Sequence, residues 1–132
     1  ATMEIEPEKT SSYGIITPGK VIQNKIEIKD IIEKPNPKNS PSNIAVVGRY
    51  IIEPSVFDHL SLQKTGTNGE IQLTDSLSFQ IGKAPFFGYS FQGTRYDCGT
   101  KLGFAKANTS LAIKDSNIGN QFKDWLTKLN KN

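Results

Sequence analysis

Apolar residues recur along this chain in two rhythms, one of period two and one near 3.6. Met3 to Glu6 alternates apolar and acidic residues and then meets Pro7, which predicts a short edge strand because proline cannot donate to a ladder. Tyr13-Gly14-Ile15-Ile16-Thr17 is a second β-rich run, expected to close at the turn signal Pro18-Gly19. Val21 to Glu33 reads as a hairpin: Gln23-Asn24-Lys25 turns, then Ile26 and Ile28 alternate with Glu27 and Lys29 before Ile31-Ile32. Pro35, Pro37 and Pro41 make the segment to Ser42 a loop, since prolines forbid a regular ladder. From Asn43 to Ile52 the chain is too continuously apolar for a half-exposed strand and predicts a buried central one.

The second rhythm follows. Pro54 and Ser55 open a short helix through Leu60, with proline favoured in a first turn. After the loop Gly66-Thr67-Asn68-Gly69, the segment Glu70 to Gly82 places Ile71, Leu73, Leu77 and Ile81 near helical spacing. Phe86 to Phe91 is a further strand. Thr100 is an N-cap for a helix from Lys101 to Ile113, and Ile118, Phe122, Trp125, Leu126 and Leu129 line one face of a final amphipathic helix. Strands and helices interleave, so the fold class is α/β, a sheet flanked by helices.

Composition narrows the function classes. Sixteen Lys and Arg against thirteen Asp and Glu leave a net charge of +3, spread along the chain, and no nucleic-acid partner is expected from so diffuse an excess. The longest wholly apolar stretch, Ile44 to Val47, is about a fifth of a bilayer crossing, so no membrane partner is expected either. One cysteine, Cys98, excludes an intrachain disulfide and fits a reducing, cytoplasmic location; it reads as a small buried hydrophobe. His59 is the only histidine and reads as a surface helix residue. Arg49, placed in the central strand, calls for a carboxylate partner.

Four segments carry a resemblance. Tyr13-Gly14-Ile15-Ile16; Ile32-Glu33-Lys34-Pro35; Val47-Gly48-Arg49-Tyr50 followed by Gly69-Glu70-Ile71-Gln72-Leu73-Thr74-Asp75; and Gly93-Thr94-Arg95-Tyr96-Asp97-Cys98-Gly99 look, in this order, like the second half of a bacterial UTP-glucose-1-phosphate uridylyltransferase. The Glu-Ile-Gln-Leu-Thr-Asp and Tyr-Asp-Cys-Gly segments are the specific ones. The resemblance implies the C-terminal, sugar-binding part of a Rossmann-like nucleotidyltransferase fold with a mixed sheet. Residues 1–113 would be the sugar-binding half of that domain and 114–132 a C-terminal amphipathic helix. The family's Gly-X-Gly-Thr-Arg phosphate loop, a magnesium-binding Asp and the uracil pocket are not found in this sequence. The chain is therefore expected to be inactive alone, with base choice read elsewhere.

The implied reaction joins glucose-1-phosphate to the α-phosphorus of UTP and releases pyrophosphate, giving UDP-glucose. Such chemistry needs no covalent nucleophile; it needs two anions held in line and their charge neutralised by Mg²⁺ and cationic side chains. By resemblance Glu33 binds the glucose hydroxyls, Lys34 the phosphate, and Gly14 lets the backbone approach the sugar; Lys34 and Asp97 are the catalytic residues, Asp97 as a Mg²⁺ ligand. Without the resemblance, Glu33-Lys34 would read as an exposed ion pair, Gly14 as a turn glycine and Asp97 as an Asx turn. Glu70 to Asp75 reads as structural. The partners implied are glucose-1-phosphate and UTP, with a homo-oligomer expected from the family and from the apolar stripe of the last helix. The alternatives are a non-catalytic sugar-phosphate-binding or assembly module, and thymidylyl or adenylyl transfer by a related enzyme.

Overall fold

The isoleucine-rich hairpin is the centre of the fold. A computed structural model describes residues 1–62 and 70–129; the expected Gly66-Thr67-Asn68-Gly69 loop lies outside the described residues. The chain forms two compact units, Ala1–Gln92 and Gly93–Asn132.

In the first unit, β1 (Thr2–Glu4), β2 (Gly14–Ile22), β3 (Lys25–Glu33), β4 (Ile44–Val46) and β5 (Phe87–Tyr89) form one sheet in the order β1-β4-β2-β3-β5, every ladder antiparallel. The sheet curls until its two edges meet at a parallel bridge between Thr2 and Ser90. Gly88 permits that approach, because a Cβ there would lie 2.7 Å from Thr2 Cγ2.

Two bulges shape the hairpin. Thr17 pairs with Asp30 but Pro18 with Ile28, so Lys29 is an extra residue in β3; between Pro18 and Val21 the extra residue is on β2. The insertion at Lys29 resets the alternation, which is why Ile26, Ile28 and Ile31 all turn to the core while Ile32 is half-exposed. It also corrects the expected stop at Pro18-Gly19: β2 runs on to Ile22, because the bulge absorbs the proline's missing donor. Gln23, at φ 54°, makes the reversal.

The core of this unit is Ile16, Ile26, Ile28 and Ile31 of the sheet against Val56 of α1 (Ser55–Leu62) and Leu77 of α2 (Leu73–Gln80). Adjacent Ile15 and Ile16 are both fully buried, so the start of β2 is covered on both faces, while Val21 and Ile22 at its far end are exposed. His59 is not a plain surface residue: Nδ1 lies 2.9 Å from the buried Ser76 Oγ and the ring stacks on Phe79 at 4.0 Å, bracing α1 on α2.

The long central strand expected over 43–52 is also corrected. β4 stops at Val46, and Gly48, at φ 63°, turns the chain out of the sheet. Only Ala45 of that run is fully buried, while Ile51 is fully exposed. Arg49 is exposed too, hydrogen-bonds the Gly48 carbonyl at 3.4 Å, and makes no ion pair among the described residues. Once out of the sheet it needs no buried carboxylate. The proline segment is ordered without strands: Asn36 caps a short 3-10 turn over Pro37–Asn39, and Ser42 Oγ donates to the Ile16 carbonyl at 2.7 Å.

The second unit holds α3 (Lys101–Lys114) packed on α4 (Gly119–Leu129). Thr100 is the expected N-cap, its hydroxyl accepting from Gly103 N–H at 3.0 Å. Asp115 Oδ1 accepts from Asn117 and Ile118 N–H and starts the turn into α4. Cys98 is exposed, against the expectation of burial. Ile118, Trp125 and Leu129 are each about half exposed. Among the described residues no helix is long and apolar enough to cross a membrane.

Candidate functional site

Where β2 begins and β3 ends, the ladder brings three of the four sequence-predicted residues together. Gly14 pairs directly with Glu33, and the Lys34 N–H donates to the Tyr13 carbonyl at 3.0 Å, closing the ladder. A Cβ on Gly14 would stand 3.1 Å from Glu33 Oε2 and 3.6 Å from Thr74 Oγ1. Gly14 is thus a glycine for space, not for a left-handed backbone, since its φ is not positive. No turn needs it.

On a regular strand Glu33 and Lys34 would point to opposite faces. The chain bends at Lys34 itself, which takes φ 46° immediately before Pro35. That swings the ammonium back to 3.7 Å from Glu33 Oε1. The two side chains form the ion pair expected of a strand end, with Lys34 about half exposed and Glu33 more covered. At this distance and exposure it adds little stability, so the left-handed lysine is not explained by the pair alone.

Glu33 opens into a cavity of about 290 Å³, at the low end of small-molecule sites, whose walls include Tyr13, Gly14, Tyr50, Gln72, Thr74 and Leu77. Thr74, in the first turn of α2, donates its hydroxyl to Glu33 Oε2 at 2.6 Å. One turn later Ser78 donates to Asp30 Oδ1 at 2.7 Å, so the i, i+4 face of α2 is fastened to β3 at two points. Gln72 does not spend its side chain on capping α2; its amide lies 3.2 Å from Glu70 Oε2 at the rim. Tyr50 arrives on the segment that Gly48 turns out of the sheet. Burial first, and the facing Glu33 charge second, hold its phenol above the usual range.

Three contributors escaped the sequence reading. Thr74 and Gln72 lie in a segment whose pattern reads as structural, yet both line the cavity. Their signal was a non-capping glutamine followed by a first-turn threonine with a serine four residues on. Tyr50 was hidden by the strand expected over its segment.

Asp97 belongs to the second unit. Its Oδ1 accepts from Gly99 N–H at 3.1 Å and its carbonyl from Thr100, an Asx turn leading into α3. The carboxylate is exposed. Among the described residues no three His, Cys, Asp or Glu side chains converge, so any cation here would take its remaining ligands from water or substrate, as Mg²⁺ with phosphates does.

A cavity lined by an acceptor carboxylate that has an ammonium 3.7 Å away suits a hydroxylated ligand that carries an anionic group. The chain is 39% identical over 129 residues to UTP–glucose-1-phosphate uridylyltransferase 2 of Staphylococcus saprophyticus, covering 98% of this chain and 45% of the relative. It is 42% identical over 111 residues to UTP–glucose-1-phosphate uridylyltransferase of Komagataeibacter xylinus, covering 84% and 39%. Among solved structures, a UDP-glucose pyrophosphorylase complexed with UDP-glucose superposes with TM-score 0.80 at 42% identity, covering 86% of this chain and 43% of that one. A UTP-bound UGPase from Acinetobacter baumannii gives 0.82 at 29%, covering 97% and 44%. The chain spans less than half the length of these relatives. A sequence model described as nucleotidyl transferase matches residues 1–113, and on that match the chain belongs to the nucleotidyl transferase family.

Proposed function

We propose that this chain supplies the glucose-1-phosphate side of a UTP–glucose-1-phosphate uridylyltransferase. The observation that carries the reading is a cavity lined by Gly14 and Glu33, with the Lys34 ammonium 3.7 Å from the Glu33 carboxylate, in a chain 36–42% identical to enzymes of that name. It does not depend on which part of the relatives' length the chain matches.

In this site Glu33 accepts hydrogen bonds from neighbouring sugar hydroxyls, and Gly14, with no side chain, leaves that carboxylate its place against the strand beside the sugar. Lys34 stands beside Glu33 and neutralises the sugar phosphate as its oxygen attacks the α-phosphorus of UTP. One P–O bond forms, the bond to the β-phosphate breaks, and pyrophosphate leaves. Asp97, an exposed carboxylate with one oxygen fixed by Gly99, would be a single ligand to Mg²⁺. When bound, that ion offsets phosphate charge that grows in the transition state. The Gly-X-Gly-Thr-Arg loop is not among these 132 residues, so by this reading they make no UDP-glucose on their own. A homo-oligomer and a cytoplasmic location go with the reading; the half-exposed Ile118, Trp125 and Leu129 support the first.

The test is steady-state kinetics on the full gene product. Glu33→Gln raises KM for glucose-1-phosphate about tenfold, the worth of one or two bonds to a charged group, and leaves KM for UTP near its starting value. Asp97→Asn lowers kcat more than it raises either KM. An unaltered sugar KM in Glu33→Gln refutes the sugar-site assignment, and an unaltered kcat in Asp97→Asn removes Asp97 from the metal.

A further inference from the structure

We infer that Thr74 is a positioning residue that sets hexose selectivity by clamping the Glu33 carboxylate. The inference rests on the sugar-site reading above and adds to it a residue of α2 that does not itself need to touch the substrate.

An ionised carboxylate can only accept, so the 2.6 Å contact is a hydroxyl donated by Thr74 to Glu33 Oε2, within the short range of charge-assisted bonds. Among the described residues the other oxygen has only Lys34, at 3.7 Å, too far for a hydrogen bond. The carboxylate is therefore pinned at one oxygen and free at the other. The pinned oxygen sits against the space left by Gly14, where a Cβ would come within 3.1 Å. With Oε2 fixed, the plane of the carboxylate is fixed, and the remaining lone pairs face one set of directions in the cavity. An unclamped glutamate would rotate its terminal torsion to meet an equatorial or an axial hydroxyl alike, and the distinction between hexose epimers would weaken.

Helix docking does not depend on this contact alone. Ser78 already fastens α2 to β3 through Asp30 at 2.7 Å, and Leu77, between the two, is fully buried in the core. Thr74 can lose its hydroxyl and leave that anchoring in place. The contact that changes is the one on the sugar-facing carboxylate.

The experiment compares Thr74→Val, which keeps the shape and deletes the donor, with Thr74→Ser, which keeps the donor, in the full gene product. Substrates are glucose-1-phosphate and galactose-1-phosphate, each with UTP. Thr74→Val is expected to raise KM for glucose-1-phosphate roughly five- to twentyfold and to narrow the glucose-to-galactose ratio of kcat/KM by a similar factor, with kcat within about twofold. Thr74→Ser restores both values. If the valine variant does not fold, Thr74→Ala makes the same subtraction and carries the same expectation. In a Glu33→Ala background, Thr74→Val should add no further rise in KM, because the group it acts through is gone. A lower melting temperature with KM and epimer ratio unchanged would overturn the inference, as would a fully additive double variant. An unchanged sugar KM in Glu33→Ala alone would instead overturn the site reading beneath it, so the two failures are distinguishable.

Discussion

Replacing Gly14 with alanine should push stability and sugar binding in opposite directions. The backbone there is extended and paired with Glu33, so alanine adopts it without strain and removes conformational freedom from the unfolded chain, worth about 0.4–1 kcal/mol of stability. The new Cβ would stand 3.1 Å from Glu33 Oε2, a few tenths of an ångström inside ordinary contact, and 3.6 Å from Thr74 Oγ1. The flexible carboxylate is the group that yields. In yielding it lengthens the 2.6 Å bond from Thr74 and turns its lone pairs off the sugar hydroxyls. If two bonds to a charged acceptor, each worth about 1.5 kcal/mol, lose half their value, binding weakens by about 1.5 kcal/mol, or roughly tenfold. Thermal unfolding of the Gly14→Ala variant should therefore show an unchanged or slightly raised melting temperature, while glucose-1-phosphate KM rises about tenfold and UTP KM does not. A lowered melting temperature with the sugar KM intact would refute the reasoning, since it would make Gly14 a backbone requirement and not a space for the carboxylate.

Lys34→Gly should be neutral to stabilising by up to about 1 kcal/mol, because glycine takes φ 46° freely, yet should lower kcat/KM for glucose-1-phosphate at least tenfold; a denaturant melt and a kinetic run decide it. Gly103→Ala would drive a Cβ into the Asp97 carbonyl oxygen, a backbone atom that cannot step aside, so the turn from Asp97 to Thr100 must open, with an expected loss of roughly 2 kcal/mol or more in the melt of the second unit. Tyr50 keeps its proton in the folded state at pH values where the unfolded chain has lost it, so stability should fall as pH rises from about 10 through the raised folded value. Tyr50→Phe should remove that part of the alkaline loss, read by melts across alkaline pH.

Local order along this chain could be read from residue types. The reversal at Gln23-Asn24, the proline loop, the Thr100 cap and the two last helices follow from neighbours a few residues apart, and the structure has them where the pattern places them, although the hairpin's first arm, expected from Val21, begins at Gly14. Gly14, Glu33 and Lys34 were legible through short segments whose residues the ladder then joined. Three things were decided only by packing. The bulge at Lys29 resets which isoleucines face inward, and a bulge is a mismatch between two strands that neither strand carries alone. The end of β4 follows from Gly48 taking a left-handed turn, which frees Tyr50 to reach the cavity instead of extending a strand as its apolar neighbours suggest. The Thr74–Glu33 bond joins residues 41 positions apart, and hydroxyl and carboxylate meet because Leu77 and Ile31 are buried in one core and hold helix against strand. Periodicity reports which face of an element is apolar. It cannot report which polar side chains stand opposite one another once those faces have met, and the candidate site is made of that second kind of information.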